Sequence, residues 1–223
     1  MLIEKDSGRW KRLIVGVVLF MVVTAMVYKN SMLIGAIDSV LQALIGETNH
    51  SGSMTQHLMT LISFLGSPKM DILWTLVIAF FLWGFKFKIP ALWALCTVFG
   101  GDVLGFLVKH IVKRGRPAQH MAKDHGFSYP SGHVLGFFLV AAVLFLVVIP
   151  LIKSNSKRVI CQLLVVLFII LLAVSRVYLN AHYPSDTIGA MLLGYAWLQI
   201  AEALYRSFAP QMTHWRLVHH TYY

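Results

Sequence analysis

The sequence is short of charge, of acidic residues and of cysteine. Only 13% of its 223 residues are charged, and just 9 are Asp or Glu against 19 Lys or Arg. With 58% hydrophobic residues and a mean hydropathy of +0.72, a soluble domain of this length would lack polar cover for its surface, so a water-soluble fold is excluded. Two cysteines, Cys96 and Cys161, give no disulfide framework; each lies in or beside an apolar run and reads as a buried packing residue. No zinc-type spacing of Cys and His occurs, so no metal and no other cofactor is expected. Repeats, low-complexity tracts and linkers are also missing, which points to one membrane-embedded domain over residues 1–223. The formal net charge of +10 raises nucleic acid or an anionic membrane as a partner. No basic helix or aromatic-interleaved basic patch lies in a stretch able to fold alone, which excludes nucleic acid.

What the chain has instead is long apolar runs. Residues 134–152 carry no charge and as a helix span about 30 Å of hydrocarbon. Six such spans are read at 13–28, 70–85, 89–108, 134–152, 159–175 and 187–205, giving an all-α, polytopic membrane protein. The first follows Arg9, Lys11 and Arg12, and Val23 and Ala25 offer small positions for signal cleavage. A retained anchor is the better reading, because the rest of the chain is itself membrane-embedded. With the N-terminus cytoplasmic, Lys86 and Lys88, then Lys153, Lys157 and Arg158, then Arg206 all fall on the inner side, as the positive-inside rule requires. The loop from 109 to 133 is then outside and yet strongly basic, with Lys109, Lys113, Arg114, Arg116 and Lys123. Binding an anion would explain it.

Two shorter stretches have helical amphipathic spacing. Leu33, Ile37, Val40, Leu41 and Leu44 alternate with Gly35, Asp38, Ser39 and Gln42; Met54, Leu58, Leu61, Ile62 and Leu65 share one side of the next. Both are expected to lie along the outer interface rather than cross. Gly66-Ser67-Pro68 then breaks the chain before the second span.

Three clusters of chemically able residues map to the outer ends of spans. Lys109 to Pro117 closes the third span, Pro130-Ser131-Gly132-His133 opens the fourth, and Ser175-Arg176 with His182-Tyr183-Pro184-Ser185-Asp186 bridges the fifth and sixth. Ser131 is placed as an N-cap, and Gly132 permits close backbone approach, so this helix start can cradle an anion. Arg116 and Arg176 can grip phosphate oxygens bidentately, with Lys109 as a point charge. Pro184 suits a first helical turn, from which Asp186 can reach back to a ring nitrogen of His182, fixing its tautomer. His133 offers a second imidazole for proton transfer. Singly, each feature has an ordinary structural explanation: a satisfied His–Asp pair, a cap and turn, a solvated basic loop. Their joint occurrence on one membrane face does not. The residues alone do not decide which histidine is the nucleophile.

The pattern Lys109-x6-Arg116-Pro117, Pro130-Ser131-Gly132-His133 and Ser175-Arg176-x5-His182-x3-Asp186 resembles the three-part signature of the type 2 phosphatidic acid phosphatase family, with all eleven signature residues in place. The signature region, 109–186, covers about a third of the chain, and the six-span layout resembles the integral membrane branch. The resemblance implies His182 as nucleophile, Asp186 as its partner and His133 as acid and base. It implies Lys109, Arg116, Ser131, Gly132 and Arg176 as phosphate ligands, and no metal. A site at the outer membrane surface, opening between spans, suits a lipid phosphate whose tails stay in the bilayer. The resemblance implies undecaprenyl pyrophosphate, phosphatidylglycerophosphate or phosphatidic acid as candidates and a bacterial plasma membrane location, which with the charge pattern gives an extracytoplasmic site. Val134 and the order Gly189-Ala190 depart from the usual pattern at packing positions.

The expected activity is hydrolysis of a lipid phosphate or pyrophosphate monoester through a phosphohistidine. A lipid phosphotransferase would use the same intermediate, and an anion channel would need polar residues across the bilayer, which spans four and five lack. Asp102 is a functional candidate inside a span, or equally an interhelical bonding partner beside Gly100, Gly101 and Gly105. Residues 118–129 read as a lid or an ordinary loop. His110, His120 and His125 have no role in the mechanism; His214, His219 and His220 read as solvated tail residues.

Overall fold

The structure is a computed structural model of the whole chain, described here for residues 3, 6–45, 53–118, 126–218 and 221–223. The described residues form helices and connecting turns without strands. In chain order these are α1 (Arg9–Tyr28), α2 (Met32–Ile45), α3 (Met54–Leu65), α4 (Pro68–Gly84), α5 (Lys88–Val112), α6 (Gly132–Val143), α7 (Asn155–Tyr178) and α8 (Pro184–Met212). Helix α6 continues through a π turn, Leu144–Val148, and a 3-10 turn, Ile149–Leu151, because Pro150 cannot donate to the α-helical ladder.

All six expected spans are present as α1, α4, α5, α6 with its extension, α7 and α8. Five are long and apolar enough to cross a membrane alone; α4 has 17 residues and reaches that measure only with α3, from which it bends by 52°. The break is the Gly66-Ser67-Pro68 segment: Gly66 caps α3, Ser67 caps α4 and Pro68 takes the first helical position. The indole of Trp74 donates to the Leu65 carbonyl at 3.0 Å and fixes the bend.

Helix α8 is the axis of the bundle. Along it lies α1, with Gly16 against Tyr195 and Ala196. Near the end remote from Pro184, Arg9 is bonded to Glu202, its Nη2 3.0 Å from Oε2. Helices α5 and α6 approach closely because Gly105 has no side chain: a Cβ there would stand 2.4 Å from Leu135 Cδ2. At the far end the tail folds back, Tyr222 N–H donating to Lys86 O at 2.8 Å.

Each of the two short helices buries one polar side chain and leaves large apolar ones exposed. In α2, Met32, Leu33 and Leu44 are exposed while Asp38 is only 1% exposed; in α3, Leu58, Leu61 and Phe64 are exposed and Ser63 is buried. In a lipid solvent the apolar stripe needs no cover, whereas polar groups must find protein partners. The same physics corrects the expectation for the cysteines: Cys96 is exposed and Cys161 half-buried, because a thiol facing hydrocarbon has no need of a core. His214 is exposed; His219 and His220 lie outside the described residues, as do 119–125 with Lys123, His120, His125 and most of the expected lid.

Candidate active site

The C-terminal ends of α5 and α7 and the N-terminal ends of α6 and α8 meet at one end of the bundle. The turn between α7 and α8, buried from Leu179 to His182, is folded by backbone bonds, Ala181 N–H and His182 N–H both donating to Arg176 O, at 3.1 and 3.2 Å. It leaves His182 1% exposed. Pro184 starts α8 and Asp186 closes a capping box, its Oδ2 accepting the Tyr183 N–H at 2.9 Å.

The His182 ring has two distinct sides. Its Nδ1 stands 3.4 Å from Asp186 Oδ2, a close contact whose geometry falls short of a hydrogen bond; such contacts commonly tighten when a substrate binds. Its Nε2 lies 3.4 Å from Arg116 Nη1. A guanidinium only donates, so Nε2 is the acceptor and the ring proton belongs on Nδ1, towards Asp186. The lone pair of Nε2 therefore points at the arginine side of the site. Burial pushes the His182 pKa down to about 4; Asp186 opposes that shift, and the nearby Arg176 and Arg116 add to it. The imidazole is neutral, and nucleophilic, at neutral pH.

Of the other predicted residues, Arg116 and Arg176 bear directly on this ring. Arg116 also donates to Ala181 O at 2.8 Å and Gly126 O at 3.1 Å. Arg176 is 2% exposed and donates from Nη1 to Ser63 Oγ at 2.5 Å. Ser131 occupies the N-cap position of α6, and its N–H donates to Asp186 O at 3.1 Å, tying the two helix starts together. Its hydroxyl makes no capping bond, contrary to the usual use of such a serine; it is buried without a partner among the described residues. A buried hydroxyl in that state is a ready donor for a ligand. Gly132 begins α6 with open space beside it. His133 in the first turn of α6 and Lys109 in the last turn of α5 reach this end through the packing of those two helices.

Two residues that sequence reasoning passed over complete the arrangement. Arg114 Nη1 is 2.7 Å from Asp186 Oδ1, and its Nη2 is 2.6 Å from Asp38 Oδ2 of α2. The guanidinium also lies 4.1 Å from the centre of the Tyr183 ring. Burial alone would lower the Arg114 pKa; Asp186 and Asp38 outweigh it and raise it. Asp102, by contrast, is below the site: a Cβ at Gly136 would be 2.4 Å from Asp71 Oδ2 and 3.4 Å from Asp102 Oδ1. His110 is occupied locally, its Nδ1 2.8 Å from Phe106 O. Of the two departures, Val134 is fully buried, and Gly189 makes room for Tyr129, whose ring would be 2.5 Å from a Cβ there. Among the described residues no three His, Cys, Asp or Glu side chains are grouped as a metal ion requires.

Fold and site together define a class: a multi-pass helical membrane protein with a buried histidine–carboxylate pair beside arginine side chains. The chain belongs to the PAP2 superfamily, whose sequence pattern it matches over residues 90–208. It is 32% identical over 105 residues to phosphatidylglycerophosphatase B of Bacillus subtilis (strain 168), a match covering 45% of this chain and 51% of that relative, about half its length. The fold is similar to the crystal structure of a transmembrane PAP2-type phosphatidylglycerolphosphate phosphatase from Bacillus subtilis, with a TM-score of 0.76 and 19% identity over 92% of this chain and 99% of that one. A second likeness is to Aquifex aeolicus LpxE, with a TM-score of 0.57 and 22% identity over 75% and 93% of the two chains. At those identities the two structures establish the fold.

Proposed function

We propose that this protein is a lipid phosphatase, hydrolysing a phosphate or pyrophosphate monoester of a membrane lipid through a phosphohistidine. The observation that carries the reading is the two-sided His182: Nδ1 faces Asp186 at 3.4 Å, and Nε2 faces Arg116 at 3.4 Å. Arg116, Arg176, Lys109, Ser131 and the Gly132 amide hold the phosphate oxygens. Nε2 attacks phosphorus as the bond to the lipid oxygen breaks, and His133 gives that oxygen its proton. Water then loses a proton to His133 and attacks phosphorus; the P–N bond breaks and inorganic phosphate leaves. Asp186 balances the positive charge that His182 acquires. The donors act on charge spread over the equatorial oxygens, so catalysis is mainly positioning and electrostatic stabilisation. No metal enters these steps.

A lipid substrate is supported by an apolar cleft of about 270 Å³ lined by Leu65, Trp74, Ile78, Phe137, Val140 and Phe168. Phe137 lies one helical turn beyond His133 on α6, and Phe168 two turns before Arg176 on α7. A chain attached to a phosphate at the site can therefore lie in it. The names of the relatives favour phosphatidylglycerophosphate; undecaprenyl pyrophosphate and phosphatidic acid carry the same chemistry. Lys86, Lys88, Lys153, Lys157, Arg158 and Arg206 belong to the bundle end opposite the site, an arrangement that by the positive-inside rule supports a site on the extracytoplasmic face of the plasma membrane. The packing of α1 along α8 supports its retention as part of one unit spanning 1–223.

The test is phosphate release by the purified chain in detergent, with EDTA present, from those three lipids and a soluble phosphomonoester, beside His182→Ala. EDTA-resistant release that vanishes in the variant is expected. Equal release by the variant would remove His182 from the mechanism. A phosphorylated acceptor lipid with little free phosphate would mark a phosphotransferase instead.

A further inference from the structure

We infer that Asp38, on the short helix α2 and outside the signature region, is a positioning residue for this reaction that keeps Asp186 available to His182; the inference rests on the reading above. Asp38 is 1% exposed, and all its bonds run to the start of α8 and to Arg114. Oδ1 accepts the Ser185 N–H at 2.9 Å; Oδ2 accepts the Ser185 hydroxyl at 2.7 Å and Arg114 Nη2 at 2.6 Å. Arg114 Nη1 in turn donates to Ser185 Oγ at 2.6 Å and to Asp186 Oδ1 at 2.7 Å.

The consequence is one of charge. Arg114 alone beside Asp186 would make a neutral pair and leave nothing to balance the charge gained by His182 on phosphorylation. With Asp38 sharing the guanidinium, the group behind His182 keeps a net single negative charge. The division is geometric too: Arg114 holds Oδ1 of Asp186 only, while Oδ2 stays with Tyr183 N–H and His182. Without Asp38 the freed Nη2 can close on Oδ2 as a bidentate pair, the geometry arginine and carboxylate prefer. Helix α2 has a separate anchor one turn on: Gln42 Nε2 donates to Val177 O at 3.0 Å and to Asn180 Oδ1.

The anchor supplies the control. Asp38→Asn should lower kcat about 10- to 100-fold, the scale of a small misplacement at a reacting group, with KM little changed. Gln42→Ala, which loosens α2 and keeps the charge, should lower it far less. Asp38→Asn with Arg114→Gln should recover part of the kcat lost in Asp38→Asn, because Asp186 regains its unshared charge. Equal losses in Asp38→Asn and Gln42→Ala, or a double variant worse than either single one, would reduce Asp38 to a structural anchor and overturn the inference. If the single variant does not fold, the double variant decides: kcat near that of the intact chain supports the inference, and a loss as deep as that of Asp186→Asn overturns it. Nitrogen NMR of the His182 ring separates this from the activity itself. The Nδ1–H form should dominate in the intact chain and weaken in Asp38→Asn; an unchanged ring signal refutes the inference even where no lipid is hydrolysed.

Discussion

Helix α8 buries a carboxylate near each end, and each meets an arginine from another segment. Near the far end Glu202 takes both Nε and Nη2 of Arg9 on one oxygen, at 3.3 and 3.0 Å. At the site end Asp186 divides its oxygens between Arg114 and His182, and Arg114 is itself shared with Asp38. A buried arginine–carboxylate pair is thus no mark of chemistry in itself. The difference is in what the carboxylate faces: Glu202 meets Arg9 through one oxygen, whereas Asp186 shares its arginine with Asp38 and turns its second oxygen on a neutral imidazole. Asp186→Asn should therefore have the largest effect. By the precedent of a buried carboxylate behind a catalytic histidine, kcat should fall about 10⁴-fold, measured as single-turnover phosphate release, with the helical circular dichroism signal unchanged. A loss under tenfold would mean that Asp186 only caps α8.

The same substitution made at the other end should do the reverse. Glu202→Gln leaves Arg9 buried against an uncharged partner, which for a buried pair costs about 3–5 kcal/mol. Thermal unfolding in detergent should register it, with kcat per folded molecule nearly unchanged. Replacing both partners, Arg9→Met with Glu202→Gln, should restore much of the stability, since Arg9 is then no longer a buried charge facing an uncharged glutamine. An activity loss larger than the stability loss explains would erase the distinction between the two ends.

The two ends also differ in how well the sequence announced them. The spans were legible because an apolar run of about 20 residues has one economical solvent, and the signature residues because their spacing is unusual. Asp38 was not, although it stands in the sequence as one of only 9 acidic residues. Helical periodicity places it on the polar face of α2 and stops there. It cannot say whether that face meets water or protein, and in lipid the answer reverses the soluble rule. Arg114 was hidden for another reason: it sits between Lys109 and Arg116 among positions the signature leaves open, one basic residue in a basic loop. Cys96 shows the same blindness from the apolar side, where a core-facing and a lipid-facing residue look alike. The scarcity of acids was the one available signal for Asp38.

The smallest expected effect, and the most diagnostic of the site's electrostatics, is on pH dependence. The His182 pKa is lowered to about 4, burial first, with Asp186 raising it and Arg176 and Arg116 lowering it. For kcat/KM, which reports the free enzyme, the limb due to His182 should fall near pH 4 instead of near an ordinary histidine value of about 6.5. Arg116→Gln removes one of the lowering charges, so the limb should move up in pH; Asp186→Asn removes the raising charge, so in its residual activity the limb should move down. The sign for stability follows from the same shift. Between about 6.5 and 4 the unfolded chain binds more protons at this residue than the folded one, so the His182 contribution is full above that window and is lost as pH falls through it. A limb that stays in place in Arg116→Gln would mean that Arg116 does not act on Nε2, and would separate the arginine from the imidazole it stands beside.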